Sequence, residues 1–274
     1  MINIWEAYMV IIWSCHRKIS EFHIMVLQHI EKRRDSMKNI ALIIAGGTGS
    51  RMHQDIPKQF LTVNEKPVIV YTLESFQKHA DIDMIAVVCI EGWENVLWAY
   101  ANQFNISKLK YVFPGGNNGQ GSIRNGVFGL EEKLNSEDSI VLIHDAIRPM
   151  VSQEIISDCI VKTKQFGCAI ATIPCAEAML ETDDGTISTG SYPRDRLRRT
   201  QTPQGFNLKN ICDLHRRALE KGVTNSVASC TLMVEMGEQV YFSSGSEKNI
   251  KLTTVDDLDI FKALLQAKRS EWLK

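Results

Sequence analysis

Short apolar runs that alternate with longer segments of helical period constrain the fold of this chain more than any other feature. From Lys38 onward the strand-like runs are NIALIIAG, MIAVVCI, LKYVFPG, SIVLIHDA, CAIATIPC and QVYFSSG. Between and after them, helices are predicted over 68–79, 93–104, 122–134, 152–166, 209–221 and 255–267. This alternation predicts βαβ units, a mainly parallel sheet and a three-layer α/β domain.

Two segments depart from this pattern. The polar stretch EAMLETDDGTISTGSYPRDRLRRTQTPQGF carries an Asp184–Gly185 pair typical of a hairpin turn, so we expect a projecting β-hairpin arm over about 176–200. The apolar run AYMVIIW near the start is too short for a membrane span and lacks the flanks of a secretory signal. We therefore expect 1–36 to be a leader outside the core fold and 37–274 to form a single domain.

Charge and cysteine content narrow the classes of function. The formal net charge is −1 and the sequence pI is about 6.7, which gives no basic field for nucleic acid, so an anionic ligand must be bound by a local cluster. The 7 cysteines include no C-x-x-C pair and mostly lie in apolar runs. Reduced, buried thiols in a cytoplasmic protein are favoured over disulfides or zinc ligands, and neither a membrane nor a nucleic acid is expected as a partner.

The loop AGGTGSRMHQDIPK follows the first strand. It lacks the third glycine of a dinucleotide-binding fingerprint and the closing G-K-[ST] of a P-loop. What remains is a glycine-rich turn whose backbone N–H groups can face phosphate oxygens, with Arg51 and Lys58 as cations on the same loop. The alternative is a plain tight turn with two solvated charges.

Three other positions each allow either a ligand-binding or a purely structural interpretation. Ser122 follows the glycines of PGGNNGQGS, where its hydroxyl could cap a helix or contact a base. Asp145 directly follows a buried strand and could bind a metal or cap a turn, while Lys251 in NIKLTTVDDL could bind phosphate or be merely exposed. Taken together, two glycine loops, three cations and one carboxylate at one sheet edge indicate group transfer at a nucleoside triphosphate.

These motifs resemble a known family as a set. The segments GGTGSRM with PKQF, GG followed by Ser122, HDAIRP, TPQGF and NIKLTTVDDL occur in the order found in cytidylyltransferases that act on polyol phosphates. That group includes the 2-C-methyl-D-erythritol 4-phosphate enzyme and its ribitol 5-phosphate relatives. The resemblance implies a Rossmann-like nucleotidyltransferase fold and an Mg²⁺-dependent transfer of CMP from CTP.

The resemblance also implies roles for individual residues. Arg51 and Lys58 would bind the CTP phosphates, Lys251 would meet phosphate charge, and Asp145 would hold Mg²⁺. The nucleotide would be lined by Ala45, Gly46 and Gly47, and cytosine and ribose would be recognised by Gly115, Gly116 and Ser122. The arm would cross a homodimer and supply Arg194 to the partner's acceptor site.

The chain departs from the family pattern near the acceptor and in the second loop. Gly119 stands where an arginine is usual, Ala178 and Leu180 replace a threonine and a basic residue at the base of the arm, and Val227 lies where an acidic residue is usual. The changes at Ala178 and Leu180, together with the resemblance of GSEKNIKLTTVDDL to the carboxyl-terminal stretch of ribitol-type relatives, favour D-ribitol 5-phosphate or a close linear alditol phosphate as the acceptor. The alternatives are 2-C-methyl-D-erythritol 4-phosphate and, from another class, a CTP-binding protein of the same fold without catalysis.

Overall fold

The computed structural model describes residues 37–47, 56–134 and 139–267, which form an α/β domain. Its strands are β1 (Asn39–Ala45), β2 (Thr62–Val63), β3 (Lys66–Pro67), β4 (Met84–Cys89), β5 (Leu109–Pro114), β6 (Ile140–Asp145), β7 (Cys168–Pro174), β8 (Met179–Glu181), β9 (Gly190–Tyr192), β10 (Arg198–Asn207) and β11 (Phe242–Ser244). Its α-helices are α1 (Val68–Lys78), α2 (Glu94–Gln103), α3 (Gly119–Lys133), α4 (Gln153–Phe166), α5 (Leu208–Glu220), α6 (Ser229–Glu235) and α7 (Val255–Ala267). The predicted leader, 1–36, lies outside the described residues.

The central sheet has seven strands in the order β11-β7-β10-β6-β1-β4-β5. Neighbouring pairs are parallel except for β10, which runs antiparallel to both β6 and β7. The predicted mainly parallel sheet is confirmed. Because β1, β4, β5 and β6 are parallel, their carboxyl ends meet at one edge, and the loops that follow them are brought together there.

Both faces of the sheet are covered by helices, which explains why its central strands are apolar along their whole length. Alternate residues of β1 enter different layers: Ile43 packs with α1, α2 and α4 on one face, whereas Leu42 packs with α3, α5 and α6 on the other. Helix α7 forms a smaller cluster, in which Phe261 packs beside Val63 of the β2–β3 hairpin. This arrangement confirms the predicted three-layer architecture.

The structure adds elements that the sequence pattern did not predict. Strand β10 begins at Arg198 and pairs with β7 through Thr200, so 198–200 lie in the central sheet. The short helix α6 was not predicted either. Strands β8 and β9 form a two-stranded hairpin with Gly185 at φ +75° in the connecting loop, as expected for a hairpin arm.

Cysteines in the described part of the chain are the buried thiols that the sequence predicts. The cysteines there are free and buried (Cys89, Cys159, Cys168, Cys175, Cys212 and Cys230), while Cys15 lies outside the described residues. Every helix in these residues is too short or too polar to cross a lipid bilayer.

Candidate active site

A cleft of about 420 Å³ opens at the carboxyl edge of the central sheet, between the loops that follow β1, β5 and β6. We call it the glycine cleft. It brings together most of the residues that the sequence singled out, and its lining includes Ala45, Gly46, Gly47, Lys58, Gly116, Ser122, Asp145 and Lys251. Positions more than 200 residues apart in sequence therefore share one wall because parallel strands deliver them to the same edge.

Glycine is required in this cleft by the close approach of two loops. A Cβ on Gly46 would lie 2.9 Å from Ser122 Oγ and 3.2 Å from Gly115 Cα, and one on Gly116 would lie 2.4 Å from the carbonyl carbon of Gly121. The ends of β1 and β5 could not pack this tightly with side chains at those positions. Gly115 is part of this packing and does not line the cleft.

Ser122 was predicted as a possible helix cap, and the structure corrects that interpretation. Helix α3 begins at Gly119, and its cap is Asn118, whose Oδ1 accepts a hydrogen bond from Gly121 N at 2.8 Å. Ser122 is buried inside the first turn, and its Oγ accepts from Gly116 N at 3.0 Å. The serine therefore holds the glycine loop against the helix.

Lys58 enters the glycine cleft from a 3₁₀ turn, Lys58–Phe60. The next residue, Gln59, is 2% exposed, and its Nε2 donates to Ala45 O at 2.8 Å and to Gly47 O at 3.0 Å. This amide fixes the turn carrying Lys58 to the end of β1. Arg51, the other predicted cation of this loop, lies outside the described residues.

Asp145 is the charged centre of the cleft. Its Oδ2 lies 3.1 Å from Arg148 Nε and 3.2 Å from Lys251 Nζ. Burial alone would raise the pKa of this carboxyl group, but the charges of Lys251 and Arg148 outweigh burial and lower the pKa below its ordinary value. Asp145 is therefore ionised at neutral pH.

A chain of partly buried hydrogen bonds holds the backbone of Asp145. Asp145 N donates to Thr202 Oγ1 at 3.1 Å, and Thr202 Oγ1 lies 3.1 Å from His144 Nδ1. His144 Nε2 lies 3.1 Å from Arg148 O and must donate to it, because a carbonyl oxygen only accepts. Nδ1 is then the acceptor for the threonine hydroxyl. Burial lowers the pKa of His144 to about 4, so the imidazole is neutral at pH 7.

Lys251 is held near Asp145 through its loop. Arg148 Nη1 donates to Asn249 O at 2.8 Å, and Asn249 Nδ2 donates to Thr202 O at 2.8 Å. Gln201 is 6% exposed and contacts the same loop twice: its Nε2 donates to Ser246 O at 2.9 Å and its Oε1 accepts from Ser246 N at 3.1 Å. The loop that carries Lys251 is thus fastened to β10.

A second cleft, of about 310 Å³, adjoins the first. We call it the Thr202 cleft. Polar side chains from β10 and the start of α6 face it, together with Arg148, and its lining includes Thr200, Gln201, Thr202, Gln204, Val227, Ala228 and Ser229. Asp145 and Lys251 line both clefts, as does Gly119. A molecule in each cleft would therefore meet the other at the Asp145–Lys251 pair.

The donor set around Asp145 can be tested for its fit to a metal ion. Among the described residues, no group of three or more His, Cys, Asp or Glu side chains converges to form a cage. Asp145 Oδ2 receives both cationic contacts, and none of those residues donates a hydrogen bond to Oδ1. One ionised oxygen suits Mg²⁺, which commonly uses one or two carboxylates together with substrate phosphates and water.

Arg194 is the predicted residue that the structure keeps apart from both clefts. It lies in the exposed 3₁₀ turn Arg194–Arg196 of the arm, and its Nη1 donates to Ala176 O at 2.9 Å. Four residues that position the predicted ones were not singled out from the sequence: Gln59, Arg148, Gln201 and Thr202. Arg148 and Thr202 lie within the HDAIRP and TPQGF motifs, so membership in these motifs could have identified both residues.

Known proteins that are similar to this chain are named as cytidylyltransferases. The model of the IspD family, described as 2-C-methyl-D-erythritol 4-phosphate cytidylyltransferase, matches residues 39–267. A ribitol-5-phosphate cytidylyltransferase of Lacticaseibacillus paracasei is 44% identical over 230 residues, which is 83% of this chain and 98% of that protein. A 2-C-methyl-D-erythritol 4-phosphate cytidylyltransferase of Clostridium botulinum is 35% identical, covering 84% of this chain and 98% of that protein.

Solved structures support the fold. The crystal structure of 4-diphosphocytidyl-2C-methyl-D-erythritol synthase from Anaerococcus prevotii superposes with a TM-score of 0.72 at 23% identity, covering 86% of this chain and 99% of that one. The architecture is therefore shared.

The Thr202 hydrogen bonds generate a prediction about stability. Thr202→Val should lower the free energy of unfolding by about 1–3 kcal/mol, because Asp145 N and the buried His144 Nδ1 would lose their hydrogen-bond partner. Thr202→Ser keeps the hydroxyl and should recover most of that loss. Urea unfolding measures both, and Thr200→Val, an exposed change on the same strand, is the matched control. Equal stability of the Val and Ser variants would contradict the role of this hydroxyl.

Proposed function

The chain belongs to the IspD family of cytidylyltransferases, and from that premise we propose that it transfers CMP from CTP to D-ribitol 5-phosphate, giving CDP-ribitol and pyrophosphate. The observation that carries this proposal is the meeting of the glycine cleft and the Thr202 cleft at Asp145 and Lys251. A transferase needs two substrates side by side, whereas a protein that only binds CTP needs one cleft.

The proposed reaction is a displacement at phosphorus. An oxygen of the acceptor phosphomonoester forms a bond to the α-phosphorus of CTP, and the bond from that phosphorus to the bridging oxygen of the β-phosphate breaks, which releases pyrophosphate. Both reactants are anions, so the reaction requires positive charge to offset their repulsion and needs no protein nucleophile. Lys58 and Arg51 would supply that charge on the nucleotide side, and Lys251 would supply it between the clefts.

The nucleotide would occupy the glycine cleft. Backbone groups of Ala45, Gly46 and Gly47 would lie along the triphosphate, where the absence of side chains at the glycines permits close approach. Gly115, Gly116 and Ser122 would shape the surface that meets cytosine and ribose. Because Ser122 Oγ accepts from Gly116 N, the hydroxyl would act mainly by keeping this surface in place.

We propose that Asp145 binds Mg²⁺ together with the phosphates of CTP. Its ionised carboxylate and the Oδ1 atom without a hydrogen bond from the described residues support this role. When bound, the ion would neutralise phosphate charge next to the bond that breaks. Lys251 and Arg148 would keep the carboxylate ionised and oriented.

The choice of acceptor has two supports. The ribitol relative named above is more similar to this chain than the methylerythritol relative, at 44% against 35% identity. In addition, Ala178 and Leu180 stand where methylerythritol enzymes usually place a threonine and a basic residue, so neither side chain could donate a hydrogen bond to a branched acceptor. A site that lacks polar partners for one substrate discriminates against it.

A panel of acceptors tests the proposed function. The value of kcat/KM for D-ribitol 5-phosphate should exceed that for 2-C-methyl-D-erythritol 4-phosphate by about tenfold or more. Pyrophosphate release with CTP and Mg²⁺ measures both, with ATP in place of CTP as the control. A tenfold preference for methylerythritol phosphate would overturn the acceptor assignment. Binding of CTP with no turnover on any polyol phosphate would favour the non-catalytic alternative.

Substitution of Asp145 tests the metal proposal. Asp145→Asn should raise the Mg²⁺ concentration for half-maximal turnover by about tenfold or more, because an amide is a poorer ligand for a hard cation than a carboxylate. The matched control is Asp158→Asn, since Asp158 also pairs with a lysine, Lys162 at 3.0 Å, but lies away from both clefts. An unchanged Mg²⁺ titration in the Asp145 variant would remove this residue from the metal site.

We further propose that the protein is a homodimer joined through its arms and located in the cytoplasm. The arm has no core of its own, and its apolar side chains Met179, Leu180, Ile187 and Tyr192 are 44–71% exposed. A second copy of the chain would cover them, and two strands alone are only marginally stable in water. Free, buried cysteines suit a reducing compartment.

Subunit mixing tests whether Arg194 acts across this dimer. Lys58→Ala and Arg194→Ala subunits should each be nearly inactive alone. Hybrid dimers should contain one intact site, formed by Lys58 of one subunit and Arg194 of the other. Re-equilibrated equimolar mixtures should therefore regain about a quarter of native turnover. No recovery, in a mixture shown by mass spectrometry to contain hybrids, would mean that Arg194 does not serve the partner's site.

A further inference from the structure

The wall of the Thr202 cleft formed by 227–229 is carried by an irregular connection between α5 and α6. Val227 is 94% exposed, so little packing holds it, although Ala228 and Ser229 beside it line the cleft. The amide of Gln204 on β10 supports the far end of the wall, where its Oε1 accepts from Cys230 N at 3.1 Å. The near end, 223–226, must be supported in another way.

Gln120 supplies that support from the first turn of α3, directly after the glycine loop. Its side chain is 3% exposed and makes two hydrogen bonds: Nε2 donates to Val223 O at 2.8 Å, and Oε1 accepts from Ser226 N at 2.7 Å. The neighbouring Asn118 Nδ2 donates to Thr224 O at 3.1 Å, near the surface. The amide of Gln120 is thus a buried bridge between segments more than 100 residues apart in sequence.

This bridge starts beside the nucleotide and ends beside the acceptor. Gly119 and Gln120 begin α3, and Gly119 lines both clefts. Ser226, which Gln120 holds, directly precedes the 227–229 wall. A displacement of 223–226 would therefore move the 227–229 wall relative to Asp145 and Lys251, where the two substrates would meet.

We propose that Gln120 is a positioning residue for the acceptor: its amide fixes the 227–229 wall at the distance from the glycine cleft that the acceptor phosphate requires. This inference rests on the proposed function, because it assigns the acceptor to the Thr202 cleft. The glycine loop has its own supports in Asn118 and Ser122, so loss of the Gln120 amide should disturb the acceptor side more than the nucleotide side.

The test replaces the amide while keeping its size. Gln120→Met preserves the length of the side chain but removes both hydrogen bonds. We expect the KM for D-ribitol 5-phosphate to rise by about tenfold or more and the KM for CTP to change by less than about threefold. Gln120→Glu keeps an acceptor for Ser226 N but loses the donor to Val223 O, so the same split is expected, and it carries the test if the Met variant does not fold.

The matched control is Gln77→Met. Gln77 also bridges two segments with both ends of its amide, since its Nε2 donates to Ser107 Oγ at 3.0 Å and its Oε1 accepts from Lys108 N at 2.9 Å. This bridge lies before β5, at the opposite edge of the sheet from the clefts. Both KM values of the control should stay near native. Equal changes of the two KM values in the Gln120 variants, or no change, would overturn the proposal.

Hydrogen–deuterium exchange separates failure of this inference from failure of the proposed function. Absence of turnover on ribitol 5-phosphate in the native protein would refute the proposed function. The role of the Gln120 bridge could still be tested in that case, because hydrogen–deuterium exchange requires no turnover. CTP should slow exchange of the 223–229 amides in the native protein and in Gln77→Met, but not in Gln120→Met. Absence of CTP-dependent protection in the native protein, or equal protection in Gln120→Met, would overturn the bridge.

Discussion

The candidate site is assembled around the ion pairs that the carboxylate of Asp145 makes with Arg148 and Lys251. Strand β6 delivers this carboxylate to the sheet edge, where burial would otherwise favour the neutral acid. Arg148 and Lys251 keep it charged, and Arg148 also donates to Asn249 O in the loop that carries Lys251. Removing one partner from such a cluster leaves an uncompensated charge, so the loops after β6 and β11 depend on each other.

Neutral amides perform the remaining assembly. Buried side chains of Gln59, Gln120, Gln201 and Gln204 each connect a loop of the site to a neighbouring element through backbone groups. Neutral amides suit a site for anionic substrates. If an ion pair held each loop instead, it would occupy lysines and arginines that are needed to bind a triphosphate. A buried amide with both ends bonded fixes a loop without using positive charge.

The sequence predicted the position of a residue correctly where the local pattern determines it. It did not do so where the position depends on partners that are distant in sequence. Asp145 and Lys58 could be placed because residues that follow parallel strands must reach one edge of the sheet. Strand β10 was missed because RRTQTPQ has too few apolar residues to signal a strand in a central sheet. Ser122 was offered as a cap because the start of α3 was set three residues late, whereas Asn118 is the cap. No local signal marks Gln120, since its partners are more than 100 residues away.

The two clefts are built from different structural elements, and under the proposed function this difference bears on how the acceptor is selected. The glycine cleft is made of strand ends and of backbone that packs closely at Gly46 and Gly115. The Thr202 cleft is made of side chains on β10 and of the 227–229 wall, whose outermost residue, Val227, is almost fully exposed. Side chains of the 227–229 wall can change without disturbing the sheet, since loops tolerate substitution better than the strands that support them. Three of the four departures from the family pattern, Ala178, Leu180 and Val227, fall on the arm or on this wall, whereas Gly119 lines both clefts. A scaffold of this kind can keep one nucleotide donor while a few exposed positions select the polyol phosphate that receives CMP.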